Sequence, residues 1–239
     1  MNIPKILVGS PVTSLKKYSI PDYIKALNSL TYKNKELLVL DNSPEGRGLS
    51  AEFRNSGINY IKTEHAGNVR KMLARDRNFF REKALNEGFD YWLSIEQDII
   101  PPQDVAERLL ENRSAKIVSG AYFNFSHEKE DKILKPDMFC PINPKDKGTG
   151  ITRRLMFDDL WPSRPIKVFV TGIGCLIIHR DVLEKIKFRF NPKIKAYDDL
   201  WFCRDAFKLG FEVLVDSRVS CKHMARLHSP ELMEKLGFK

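Results

Sequence analysis

Apolar and polar positions along the first half of the chain alternate between two periods. Short apolar runs at Ile6 to Val8, Glu36 to Leu40 and Tyr91 to Ile95 have the length and composition of buried strands. Between them, Ser19 to Leu30 and Asn68 to Asn86 repeat apolar residues at helical spacing; in the second, Val69, Leu73, Phe80 and Ala84 share a face, while Arg75 and Asn78 project from roughly the opposite side and are free to face a ligand. This is a βαβ rhythm and predicts an α/β sheet flanked by helices. Pro101 to Asn112 predicts a helix entered through prolines, and Lys116 to Tyr122 a further strand.

From Asn124 to Pro165 the pattern dissolves into Pro, Lys, Asp and Gly with isolated aromatics, and predicts a long functional loop or lid. Order returns with a strand over Val168 to Ile178, broken at Thr171-Gly172-Ile173-Gly174, and helices over Asp181 to Ile186 and Asp198 to Leu209. In the latter, Leu200, Cys203 and Phe207 share a face and Gly210 is the stop signal. Phe211 to Val215 and Ser220 to His223 read as short strands. The 239 residues suit one domain, 1–239, with a first half of 1–122 and a second of 123–239 that carries the loop at about 124–165.

Composition narrows the class. Hydrophobic residues at 42% and charged residues at 30% belong to a globular protein with a packed core. No apolar run reaches the roughly 18 residues a bilayer span needs, and the apolar stretch near Met1 is too short for a secretory signal, so a cytoplasmic location is expected. Cys140, Cys175, Cys203 and Cys221 lack paired metal-ligand spacing and read as buried thiols, not a zinc site. The net charge of +9 admits nucleic acid, an anionic membrane or phosphate-bearing small molecules, but the basic residues are dispersed among acidic ones and read mainly as solvated surface.

Several constellations carry candidate chemistry. Asp41 closes an apolar strand, at the sheet edge where α/β folds bind ligands, and also reads as a turn former before Asn42-Ser43-Pro44. Glu96-Gln97-Asp98 places two carboxylates at the end of a buried strand, which is costly unless they are solvated, hydrogen-bonded or paired with a cation. Oxygen donors of this kind suit Mg²⁺ or Mn²⁺ bridging a diphosphate. Asp198-Asp199 opens a helix, where an acid either caps amides or takes a proton from an attacking hydroxyl. His223, with His228 as competitor, is a candidate imidazole ligand, and Arg75 and Arg77 are candidate diphosphate partners. Gly172 and Gly174 permit close backbone approach.

Taken in order, these segments resemble the family 2 type of GT-A glycosyltransferase, outside about Asn124 to Pro165. Leu37 to Asp41 resembles the strand ending in a nucleotide-contacting Asp. Ala74-Arg75-Asp76-Arg77-Asn78 is similar to an Arg-Asn helix also found in Anp1-type mannosyltransferases. Tyr91 to Pro102 resembles the DxD segment, with Glu in its first place, and Thr171 to Cys175 with His179-Arg180 resembles the acceptor-side strand. Asp198-Asp199-Leu200-Trp201 is similar to the Glu-Asp motif, and Val219 to His223 to the strand with a late histidine, favouring His223 over His228.

The resemblance implies a GT-A nucleotide-diphospho-sugar transferase fold, a mostly parallel mixed sheet with the donor in the first half and the acceptor in the second. It implies glycosyl transfer from a UDP- or GDP-sugar to a glycan, lipid or protein hydroxyl. The transfer is either inverting as in family 2, with Asp199 as general base and Asp198 beside it as a catalytic candidate, or retaining as in some mannosyltransferases that share the Arg-Asn segment, in which case Asp199 has no base role. Mn²⁺ or Mg²⁺ would be held by Asp98, His223 and, as a further candidate, Glu96. Ser10, Pro11, Asp41, Arg75, Arg77 and Gln97 would contact the nucleotide-sugar, and Trp161, Gly172, Gly174 and Trp201 the acceptor. A sugar-phosphate nucleotidyltransferase would want a Gly-rich loop that Gly9-Ser10-Pro11-Val12 does not supply. A basic nucleic-acid-binding protein would explain the charge but shows no binding motif. Peripheral attachment to a membrane rests on charge alone.

Overall fold

The computed structural model describes residues 3–112, 114–128, 131–141 and 152–224. In chain order the first elements are β1 (Ile6–Val8), β2 (Pro11–Val12), a 3₁₀ turn (Ser14–Ser19), α1 (Ile20–Ser29) and β3 (Lys35–Asp41). They are followed by α2 (Ser50–Phe53), β4 (Asn59–Lys62), α3 (Val69–Asn86), β5 (Tyr91–Ile95), β6 (Ile99–Ile100), α4 (Val105–Leu110) and β7 (Ile117–Ala121).

The segment expected to be a functional loop or lid holds the hairpin β8 (Phe123–Glu128) and β9 (Asp131–Pro136), β10 (Met138–Pro141), β11 (Thr152–Arg154) and a 3₁₀ turn (Phe157–Leu160). Its strands pair with one another and with β13 in small sheets outside the main one, so they lack the uninterrupted apolar pattern of a strand covered on both faces. β12 (Pro165–Val168), β13 (Val170–Thr171), β14 (Cys175–His179), α5 (Arg180–Lys185), α6 (Asp198–Lys208), β15 (Val213–Ser220) and β16 (Lys222–His223) complete the order.

The main sheet runs β12-β15-β7-β14-β5-β1-β3-β2, with β4 also on β3. β5-β1-β3, β3-β2, β3-β4 and β15-β7 are parallel, whereas β14 runs antiparallel to both β5 and β7, and β12 antiparallel to β15. The carboxyl ends of β1, β3, β5, β7 and β15 therefore share one edge. Alternation of side chains divides the core. Leu7, Leu38, Trp92, Leu176 and Val215 face one side, with Phe80 of α3, Leu183 of α5 and Phe202 of α6. Ile6, Val8, Val39, Leu93 and Ile177 face the other, with Leu27 of α1, Phe53 of α2 and Leu109 of α4. The two faces are covered by helices, which is why the central strands read as solid apolar runs.

Local choices fix the elements around the edge. Gly9 has φ 146°, and a Cβ there would lie 1.7 Å from the Leu38 carbonyl oxygen, so β1 can lie this close to β3 only with glycine. Asn68 caps α3 by accepting from the Lys71 amide (3.1 Å), and Phe80 stacks on Trp92 with centroids 5.2 Å apart. Gly210, with φ 78°, ends α6 as expected. No helix among the described residues is long and apolar enough to cross a membrane. Cys175, Cys203 and Cys221 are buried free thiols and Cys140 is half-buried.

Candidate active site

The Glu96-Gln97-Asp98 turn leaves β5 at the shared edge and leads into β6, which β16 joins in antiparallel register, His223 opposite Ile99. The Met224 amide donates to the Asp98 carbonyl at 2.7 Å. This pairing carries His223 Nε2 to 3.4 Å from Asp98 Oδ2, and the ammonium of Lys16, on the first 3₁₀ turn, lies 2.8 Å from the same oxygen. Burial opposes ionisation of Asp98, but the His223 hydrogen bond and the Lys16 charge outweigh it and hold the carboxyl well below its usual range. Burial likewise opposes the charged form of His223, and the Asp98 hydrogen bond reverses this and raises its pKa.

His223 Nδ1 lies 2.9 Å from the Phe123 carbonyl and donates to it. In the neutral ring that bond commits the proton to Nδ1 and leaves the Nε2 lone pair facing Asp98, the orientation that prepares a histidine for a metal. Asp98 and His223 thus fit a divalent ion as a carboxylate–imidazole pair. Glu96 does not complete a triad: its Oε1 is engaged by Arg77, and among the described residues no three His, Cys, Asp or Glu side chains form a metal-sized cluster.

Arg77, on the buried face of α3, bridges Glu96 through one guanidinium nitrogen and Asp198 through another. It is only 4% exposed and Asp198 2%. Burial disfavours the Arg77 charge, yet Asp198 and Glu96 raise its pKa further. Its guanidinium, expected to meet a diphosphate, is spent on two carboxylates. Asp199, half-buried in the first turn of α6, accepts from the Leu200 amide (2.6 Å) and makes no ion pair of its own with Arg77. Burial pushes its carboxyl up to about 6, with Arg77 opposing and Asp198 adding to the shift. A carboxylate tuned this close to neutrality has the proton affinity a general base needs.

The remaining expected residues fall into shaping and lining positions. Asp41 is fully buried and receives the Ser43 amide (2.8 Å), the Leu49 amide (3.0 Å) and the Tyr60 hydroxyl (2.8 Å), so its carboxylate organises the 42–49 loop. Ser10 is buried with its hydroxyl 3.2 Å from that of Tyr23, and Pro11 pairs with Leu40. Arg75 turns to Asp76 and the Glu64 carbonyl. Asn78, expected to face a ligand, instead clasps the Phe188 backbone, donating to its carbonyl (2.7 Å) and accepting from its amide (2.9 Å).

Gln97 is buried and clamps the 3₁₀ turn: its Nε2 donates to the carbonyls of Thr13 (3.1 Å) and Lys16 (3.0 Å), and its Oε1 accepts from the Thr13 amide. Gly172 and Gly174 make room for Tyr122, whose phenol oxygen accepts from the Gly174 amide at 3.1 Å and whose ring stands edge-on to His223. Trp201 is buried between the guanidinium groups of Arg189 (4.4 Å) and Arg204 (5.6 Å), whereas Trp161 is 76% exposed at the end of the second 3₁₀ turn. His228 lies outside the described residues. Lys16 and Tyr122 were not anticipated, because a lone lysine and a strand-end tyrosine carry no motif.

Neither a family model nor a curated protein matches the sequence. Solved structures do match. GalNAc-T7 with UDP, GalNAc and Mn²⁺ superposes with a TM-score of 0.66 at 12% identity, over 95% of this chain and 44% of that one. TarS of S. aureus superposes with a TM-score of 0.59 at 15% identity, over 97% of this chain and 38% of that one. Its 1–349 form gives 0.59 at 14%, over 97% and 69%. The chain therefore spans less than half of the GalNAc-T7 and longer TarS chains. The mostly parallel mixed sheet flanked by helices is the GT-A fold of these glycosyltransferases.

Proposed function

We propose that the chain transfers a sugar from a nucleoside-diphosphate donor to an acceptor hydroxyl, with inversion, at the edge formed by Asp98, His223 and Asp199. One observation carries the reading. Of the carboxylates gathered there, Asp98 is held well below its usual pKa beside an imidazole, and Asp199 is pushed up to about 6. One suits a cation, the other a proton. The neighbouring fold that holds UDP and Mn²⁺ supports a donor and ion of this kind.

Asp98 and His223 would hold a divalent ion, which supplies positive charge to the diphosphate leaving group. Asp199, ionised above about pH 6, accepts the proton of the acceptor hydroxyl as its oxygen forms the bond to the anomeric carbon and the bond to the diphosphate oxygen breaks. Arg77 keeps Glu96 and Asp198 neutralised in ion pairs beneath the reacting groups. The exposed aromatic face of Trp161 would offer a stacking surface to an acceptor sugar.

Thermal shifts with UDP, GDP and their sugar conjugates, with and without Mn²⁺, test the donor site. Stabilisation that needs both metal and Asp98, and is lost in Asp98→Ala, is expected. A nucleotide that stabilises Asp98→Ala as well as the parent would remove the metal from the reading. Absence of any nucleotide effect would remove the donor.

A further inference from the structure

Lys16 occupies a position that the proposed reaction does not use. Its backbone is fixed: the carbonyl accepts from Gln97 Nε2 (3.0 Å) and from the Ser19 hydroxyl (2.8 Å), and the 3₁₀ turn departs from helical geometry at this residue, with φ −112° and ψ 33°. Its side chain is 35% exposed, while the Asp98 carboxylate it meets is 5% exposed. The ammonium and the His223 ring converge on a single oxygen, Asp98 Oδ2, the atom through which a divalent ion would be taken.

An ammonium and a divalent ion compete for one carboxylate oxygen in a largely buried site, because each neutralises the charge that attracts the other and the two cations repel. A long unbranched chain on a clamped backbone, by contrast, swings at little cost. We propose that Lys16 is an internal cation that occupies the metal position of Asp98 and is displaced when ion and nucleoside diphosphate arrive together, its ammonium then pairing with the diphosphate. The inference rests on the donor reading above.

Coupling follows. An ion arriving alone must evict Lys16 and leave the ammonium without an anion, whereas an ion arriving with a diphosphate gives it a new one. Nucleotide therefore tightens metal binding, and by linkage metal tightens nucleotide binding by the same factor. Removing the ammonium removes part of that coupling.

The experiment is a titration of Mn²⁺ into the full chain, with free Mn²⁺ read by its electron paramagnetic resonance signal, alone and with saturating UDP or GDP. Lys16→Met is expected to bind Mn²⁺ alone roughly tenfold or more tightly than wild type, and to show a smaller enhancement by nucleotide, within the 5–150-fold range usual for coupled sites. Lys16→Gln, which keeps a hydrogen-bond donor without the charge, should follow Lys16→Met, and Lys16→Arg should follow wild type. Should every variant bind Mn²⁺ alone with wild-type affinity and show the wild-type enhancement by nucleotide, the Lys16 proposal is overturned and the donor site stands. If neither wild type nor any variant binds Mn²⁺ with either nucleotide, the metal reading falls and this inference falls with it.

Discussion

Replacing Asp199 by Asn should stabilise the fold while abolishing transfer. Burial raises the Asp199 carboxyl from the ordinary 3.8 to about 6. Below 3.8 both folded and unfolded chains keep the proton, so the folded state bears no penalty. As pH rises toward 6 the unfolded chain loses its proton first and stability is lost; above about 6 the deficit is constant. At 1.36 kcal/mol per pH unit, that interval corresponds to a ceiling of about 3 kcal/mol. Asparagine has nothing to ionise and its carbonyl oxygen can still accept from the Leu200 amide, as the Asp199 carboxylate does among the described residues. Denaturant unfolding of wild type and Asp199→Asn at pH 4.5, 6 and 8 should therefore show a small difference in acid that widens to at most about 3 kcal/mol at pH 8 in favour of the variant. In melting temperature this is roughly 6–12 °C for a domain of this size. A variant that is less stable than wild type at pH 8, or whose advantage does not shrink in acid, would refute the assignment of a strained, buried carboxylate at this position.

The same geometry sets further outcomes. Transfer activity should climb tenfold per pH unit below about pH 6 and level off above it, as Asp199 loses its proton, when kcat/KM is followed from pH 5 to 8. Arg77→Met leaves two carboxylates without their buried partner and should cost about 3–5 kcal/mol in denaturant unfolding; adding Asp198→Asn should return part of it, and no return would show that the bridge is not the cause. Gly172→Ala places a Cβ 2.3 Å from the Tyr122 hydroxyl but 3.5 Å from the ring carbon behind it. It should cost about 1–3 kcal/mol in wild type and much less on a Tyr122→Phe background, by a thermal double-mutant cycle. Gln97→Leu strips the clamp from the Ser14–Ser19 turn, and amide exchange at Thr13 should speed up while the central strands stay protected.

Much of the fold was legible because its central strands are buried on both faces. Ile6 to Val8 and Tyr91 to Ile95 are strands at the bounds expected, and the helix expected over Asn68 to Asn86 begins one residue later, with Asn68 as its cap. β4, by contrast, is an edge strand with mostly exposed residues, Asn59 to Lys62, and offers no alternation to read. The strands from β8 to β11 were missed for a similar reason: they pair among themselves, so no continuous apolar pattern is required of them. At the site, the order of acidic residues was legible but their partners were not. Nothing in the spacing of Arg77 reveals that it lies between residues 19 positions and 121 positions away. Val69, Leu73, Phe80 and Ala84 mark a helix correctly, yet the buried face of α3 also carries Asp76, Arg77 and Arg81, polar groups that periodicity assigns to solvent. Their long-range partners explain that burial: Asp76 accepts from the Asn42 side-chain amide (2.9 Å), Arg77 bridges Glu96 and Asp198, and Arg81 donates to the Ile186 carbonyl (2.9 Å).

Those polar partners are what distinguish four carboxylates that look alike in sequence. Glu96, Asp98, Asp198 and Asp199 share one edge of the sheet, where like charges repel unless cations stand among them. Arg77 is planar and buried, and its guanidinium pairs with Glu96 and Asp198 at once. Lys16 is half-exposed and flexible, so its hold on Asp98 keeps that carboxylate ionised yet exchangeable. Asp199 pairs with neither cation directly, and burial pushes its carboxyl up to about 6. On the proposed reading, a ligand for a cation and an acceptor for a proton arise from the same residue type, separated by which cation each carboxylate was given. An Arg at position 16 would preserve the pattern and a Lys at position 77 would not, since one ammonium cannot reproduce a two-pronged bridge.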